Sequence, residues 1–216
     1  MNDYEFNDLI FQRMRTFDGA GELVSSRFDG DNGLVPQLKH AKTYVSQWSQ
    51  LNVRGIGMLF WGPPGTGKTF AAACVANAFL ESREMFRPSV MMTTFGVILR
   101  KVLAFSPQER EDYIAGLLGS DLLILDDFGM ERQTDFAREQ VFNIINGRYL
   151  AKKPMIITTN LTLAQLKSPQ NLAEERIYDR VLEVCVPVFF EGESLRKAKA
   201  AKNLQFYREL TDATSA

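Results

Sequence analysis

Cysteine is scarce in these 216 residues: only Cys74 and Cys185 occur, each alone in an apolar stretch. That excludes a disulfide framework and a CxxC zinc pair, and a reducing cytoplasm is the expected compartment. Histidine is scarcer still, with His40 alone and off any apolar stripe, which reads as an ordinary surface position. Neither charge is in surplus: 25 Lys and Arg against 26 Asp and Glu leave a net charge of −1. Any contact with nucleic acid must therefore come from a local basic patch. No apolar run approaches the roughly 18 residues of a membrane span, and the opening Met1-Asn2-Asp3-Tyr4-Glu5 is acidic where a secretory signal is basic. The chain is expected to be neither exported nor embedded. Internal repeats and low-complexity tracts are absent too, which excludes solenoids and fibres. What is present, 45% hydrophobic and 24% charged residues, is the balance of one globular domain with a proper core.

Along the chain, residues 1 to about 15 read as a short amphipathic helix, with Phe6, Leu9, Ile10 and Met14 at helical spacing. A polar, Gly-containing stretch follows from Thr16 to Pro36. Leu38, Ala41, Val45 and Trp48 then mark a helix from about Gln37 to Gln50. From Gly57 onward the pattern changes to short apolar runs separated by longer amphipathic segments. The runs are Met58 to Trp61, Val90 to Met92, Leu122 to Leu125, Met155 to Thr158 and Val184 to Phe189. Such runs are strands buried on both faces, and helices between them imply parallel crossovers. The expected fold is α/β, three-layered, on a five-stranded parallel sheet. Ligands of such sheets bind beyond the carboxyl ends of the strands, so the residues just after each run carry the chemistry.

Directly after the first run comes Gly62-Pro63-Pro64-Gly65-Thr66-Gly67-Lys68-Thr69, and then the helix-forming Phe70-Ala71-Ala72-Ala73-Cys74. This is the G-x-x-x-x-G-K-[ST] phosphate loop in the strand, loop and helix context it requires. Glycines let main-chain N–H groups converge on phosphate oxygens, and the helix N-terminus favours negative charge. Lys68 is expected to reach the β- and γ-phosphates of ATP, and Thr69 to ligate Mg²⁺. The third run ends in Asp126-Asp127. Behind a phosphate loop, Asp126 suits the metal and Asp127 suits orienting and deprotonating the attacking water. The plainer alternative is a strand leaving the core into an acidic turn completed by Phe128-Gly129. Asp127 is one methylene shorter than a glutamate, which points to slow hydrolysis. The fourth run leads through Thr159 into Asn160, whose amide can bond the γ-phosphate or the lytic water; its alternative is a turn residue or part of the next helix's N-cap.

Phosphate loop, acidic strand and polar strand end occur in the order found in AAA+ ATPases. The segments GIGMLFWGPPGTGKTFAAACVANAFL, LLILDDFG, INGRYLAKKPMIITTNLT, ERIYDRVLEVCVPVFF and GESLRKA closely resemble the DnaC/DnaI-type replicative helicase loaders and their relatives, the IstB-type transposition helper ATPases. The resemblance covers about Thr16 to Leu204. It implies a AAA+ core over residues 37–190, a short sensor II helix over 191–216 in place of the usual helical lid, and an N-terminal segment, 1–36, that either contacts a partner through a short helix around Phe6, Ile10, Phe11 and Met14 or leaves a core without its adaptor. It also implies two arginines that spacing alone does not assign. Arg180 corresponds to the arginine finger that enters a neighbouring subunit's ATP site, with Arg176 as runner-up, and Arg196 corresponds to the sensor II arginine. Read without the family, both would be helix-surface residues, Arg180 among Glu174, Glu175 and Asp179, and Arg196 on a basic helix with Lys197, Lys199 and Lys202.

By the same resemblance the partners are a hexameric replicative helicase, single-stranded DNA and further copies of the chain. The DNA-facing stretch corresponds to Thr94 to Leu118, where Phe95, Arg100, Lys101 and Phe105 offer cations and stacking faces, while Val97, Ile98, Val102 and Leu103 read as the buried side of a helix. The function implied is ATP-driven loading of the helicase. A transposase client, a nucleotide-gated DNA-binding module with negligible turnover, and a small-molecule P-loop kinase are the alternatives. Asp126-Asp127 followed by Asn160 argues against the last.

Overall fold

The computed structural model describes residues 16–18, 21–31, 33–82, 87–129 and 134–214. The expected helix on Phe6, Leu9, Ile10 and Met14 lies outside them. Five strands, β1 (Gly57–Trp61), β2 (Val90–Thr94), β3 (Leu122–Phe128), β4 (Met155–Thr159) and β5 (Cys185–Phe189), form one sheet in the order β2-β3-β4-β1-β5. Every pairing is parallel. The helices are α1 (Leu38–Ser46), α2 (Trp48–Val53), α3 (Lys68–Glu81), α4 (Phe95–Ala104), α5 (Pro107–Gly119), α6 (Asp135–Leu150), α7 (Leu163–Lys167), α8 (Leu172–Val184) and α9 (Leu195–Thr214).

Strand periodicity divides the core in two. Met58, Phe60, Leu122, Ile124 and Ile156 point to one side, where α1 and α3 pack. Leu59, Leu123, Leu125, Met155 and Ile157 point to the other, where α4, α5, α6 and α8 pack. Alternate residues of one strand thus serve opposite layers, which is why the runs are apolar throughout and not alternating. Helix α3 is buried nearly all round, and its alanines at 71–73 and 76 let it lie close to the sheet.

The helix expected over Gln37 to Gln50 is two. It breaks at Gln47, whose φ of −106° and ψ of 15° are not helical. The break turns Trp48 onto Phe79, with ring centroids 5.0 Å apart, and onto Tyr44 at 5.9 Å. Tyr44 takes the buried position on α1, while Val45 is only half-buried. The polar stretch before Pro36 is likewise less loose than its composition suggests. Phe17 makes a parallel bridge to Met92 on the free edge of β2, and 3-10 turns at Gly21–Ser25 and Phe28–Asp31 carry Leu23, Val24 and Phe28 onto the core. Asn77 of α3 pins the first of these by donating to the carbonyls of Leu23 and Ser26.

Candidate nucleotide site

The loop after β1 is held open by its glycines. Gly67 sits at φ 95° in the left-handed region as the N-cap of α3, and a β-carbon there would lie 2.7 Å from Val35. Thr66 ties the loop across itself by donating to the Pro63 carbonyl at 2.9 Å. Lys68 is 5% exposed, and its ammonium donates to the carbonyls of Gly62 and Pro63, each at 2.7 Å, and to Asn160 Oδ1 at 2.9 Å. Burial pushes its pKa below the ordinary lysine value and the Arg196 charge adds to this, while Asp127 and Asp126 oppose it.

Asp126 and Asp127 lie near the carboxyl end of β3, Asp126 buried and Asp127 exposed. A break in the β3–β4 register between Leu125 and Phe128 separates them, and Asp127 takes φ 53° there, a conformation that Asp tolerates better than most residues. Asp126 Oδ1 accepts from Thr69 at 2.8 Å and from Thr158 at 2.6 Å. Burial raises the Asp126 pKa above the usual carboxylate value, and the two hydroxyls pull it back. Among the described residues no group of three or more His, Cys, Asp and Glu is placed to hold a metal. Thr69 and Asp126 offer two hard oxygen donors within 2.8 Å of each other. That fits Mg²⁺, which keeps waters and takes its other ligands from substrate phosphates.

Asn160 is brought to this cluster by the β4 edge. The helix beyond it is capped by Thr162 instead, in a reciprocal bond with Gln165, which leaves the Asn160 amide oxygen to Lys68. Arg196 enters from α9, whose Leu195 N–H donates to the Gly65 carbonyl at 2.9 Å. With Pro63, Pro64, Gly65, Ser194 and Lys197 it lines an open cleft of about 700 Å³ beside the loop. Arg180 is not brought to its own chain's phosphate loop. Its side chain projects from α8 toward α6, with Nε donating to Asn146 Oδ1 at 2.9 Å and the guanidinium stacked on Phe142 and Tyr149. Arg176, one turn earlier, is exposed.

Two expectations for the stretch after β2 fail. Phe95 is 2% exposed and packs against Phe128, so it offers no stacking face, whereas Leu103, expected inside, is 70% exposed. Lys101 is paired with Asp18 at 2.6 Å. Asp18 also accepts from Tyr113, and together they fasten α4 and α5 to the edge of β2. Arg100 remains exposed, and Phe105 stands edge-on to Tyr113.

No sequence motif assigns a role to Thr158, Val35 or Arg148. Arg148 is fully buried with no carboxylate partner in hydrogen-bond contact among the described residues, and it donates to carbonyls at the end of α5 and the starts of β3 and β4. Its signal was legible: it follows Val141, Ile144 and Ile145 on the buried stripe of α6. A charge on an apolar stripe announces a buried partner set.

A family model described as IstB-like ATP binding protein matches residues 49–203. The replicative helicase loader DnaI of Bacillus subtilis is 26% identical over 176 residues, 77% of this chain and 55% of its own length. The replicative helicase loader DnaC of Escherichia coli is 26% identical over 174 residues, 79% of this chain and 67% of its own. The chain thus spans little more than half the length of the first relative. A crystal structure of the DnaC helicase loader matches with a TM-score of 0.59 and 25% identity, over 70% of this chain and 86% of that one. With a parallel sheet, a glycine loop leading into α3 and an acidic β3, the architecture is that of the P-loop NTPases, and the chain belongs to the IstB-like ATP-binding protein family.

Proposed function

We propose that this protein is an ATPase of the AAA+ type that loads a replicative helicase onto single-stranded DNA. The observation that carries the reading is the convergence of Lys68, Thr69, Asp126 and Asn160, from three separate elements, on the loop of Gly62 to Gly67. The relatives named as helicase loaders supply the client.

In this reading the main-chain N–H groups of residues 65–69 bind the ATP phosphates, and Lys68 exchanges its carbonyl partners for phosphate oxygens. Thr69 and Asp126 hold Mg²⁺, which when bound neutralises charge on the phosphate oxygens. Asp127, exposed beside Asp126, orients a water and accepts its proton as the bond to the leaving ADP breaks. Asn160, released by Lys68, bonds the γ-phosphate or that water and so reports the state of the nucleotide. Arg196 contacts the nucleotide from the same chain. Arg180 completes the site of the next copy, leaving Asn146 to do so, with Arg176 as the alternative. Residues 37–190 form the ATPase core, 191–216 the sensor helix, and 1–36 the partner-contacting segment. DNA contact falls to the α4–α5 region, where Arg100 and Arg110 are exposed cations.

ATP then favours assembly and hydrolysis dissolves it, because the ligand is bound between copies. The test is native mass of the protein mixed with its host's hexameric helicase. A complex that forms with ATP and dissolves on hydrolysis supports the reading; no complex under either condition overturns it. Arg180→Ala should keep ATP binding and lose the hydrolysis that depends on self-association. Unchanged turnover at all protein concentrations refutes the finger. A transposase client is the second reading, favoured by the IstB-like family model; capture of a transposase but not the helicase selects it.

A further inference from the structure

Thr158 is a fully buried hydroxyl on β4, at its seam with β3. Its Oγ1 donates to Asp126 Oδ1 at 2.6 Å and accepts the main-chain N–H of Asp127 at 3.0 Å. That N–H belongs to the residue at φ 53° in the register break, where the regular ladder between β3 and β4 is interrupted. The side chain of Thr158 thus stands in for a strand carbonyl. One oxygen atom therefore fixes two neighbouring acids in different ways: the carboxylate of Asp126 directly, and the exposed carboxylate of Asp127 through its backbone. Thr69 bonds the same Asp126 oxygen but is itself assigned to the metal, which leaves Thr158 to orient Asp126 from the sheet side.

We propose that Thr158 is a positioning residue of the nucleotide site: its hydroxyl aims Asp126 for the metal and holds the turn that presents Asp127 to water. The inference rests on the ATPase reading above. Mere packing would be served as well by valine, which has the same shape and neither donor nor acceptor. Valine leaves the Asp127 N–H without its partner and Asp126 with one hydroxyl fewer. Partners that orient a metal's ligands typically change metal affinity or activity by about 10- to 100-fold when removed.

The test compares the full chain with Thr158→Val, Thr158→Ala and Thr158→Ser. The first readout is the Mg²⁺ concentration that half-saturates the magnesium-dependent part of fluorescent ATP-analogue binding. The second is kcat against KM at saturating Mg²⁺, and thermal unfolding is followed alongside. Thr158→Val should need about tenfold more Mg²⁺ and lose about tenfold or more in kcat, with KM nearly unchanged. Thr158→Ser should restore both to within about threefold. Should the valine variant not fold, the alanine variant carries the same expectation. Wild-type magnesium dependence and kcat in a folded valine or alanine variant would overturn the inference, as would a serine variant as impaired as valine. A wild-type protein that binds no magnesium nucleotide would defeat the ATPase reading itself, a result distinct from either.

Discussion

Replacing Arg148 with methionine keeps most of its volume and removes a guanidinium that is 0% exposed. Nη1 faces the carbonyls of Leu117, Leu118 and Ser120 and the Ser120 hydroxyl, and Nη2 faces those of Asp121 and Pro154, at 2.5 to 3.3 Å. Two nitrogens carry four protons, so about four hydrogen bonds share these six acceptors. At about 1.5 kcal/mol for each bond to a charged group, the gross contribution is about 6 kcal/mol. Holding the charge out of water opposes it. Burial pushes the Arg148 pKa down to about 10 from 12.5, a penalty of about 3 kcal/mol. Removing the guanidinium should therefore cost about 3 kcal/mol net, in line with breaking other buried charged contacts. In urea the midpoint should fall by about 1 to 2 M with an unchanged m-value. Because the Ser120, Asp121 and Pro154 carbonyls lie at the starts of β3 and β4, whose other ends lead to Asp126 and Asn160, nucleotide affinity should fall in parallel. A methionine variant as stable as wild type would refute the claim that hydrogen bonding outweighs desolvation here.

Lys68→Ala should weaken ATP binding by about 10- to 100-fold, the loss of one or two charge-assisted bonds, read by titration of a fluorescent analogue. Asp127→Asn should leave that affinity within a few-fold and lower phosphate release by about 10²-fold or more. Burial pushes the Cys74 and Cys185 thiols up to about 12, so neither should react with a thiol reagent at pH 8 until the protein unfolds. Each thiol binds its proton more tightly folded than unfolded. Stability should thus be intact below pH 9 and decline by up to about 1.4 kcal/mol per thiol per pH unit between about 9 and 12, seen as a falling urea midpoint.

The sheet was legible because parallel strands covered on both faces must be apolar throughout; four of the runs match their strands to within two residues at either end, and β3 runs three residues past Leu125 to Phe128. The phosphate loop was legible because its function dictates its residue types at fixed spacing. What sequence did not reveal depends on contacts between distant elements. Gln47 breaks a helix because Trp48 must reach Phe79. Phe95 turns inward because Phe128 arrives beside it from β3. Asp127 departs from its neighbour through a register break that no pattern in Leu122 to Phe128 announces, and Thr158 acquires two partners only once β3 lies against β4. Arg180 and Arg196 came into view only through the family resemblance, since spacing alone leaves both on helix surfaces.

The central claim is that ATP phosphates occupy the loop from Gly62 to Gly67, with Lys68 released from its carbonyl partners and Mg²⁺ between Thr69 and Asp126. Calorimetric titration of the protein with ATP, with and without Mg²⁺, tests it most directly. Saturable binding of one nucleotide per chain, tightened by Mg²⁺ and abolished in Asp126→Ala only for its magnesium-dependent part, is the expected result. No heat of binding, or binding indifferent to both Lys68 and Asp126, would contradict it.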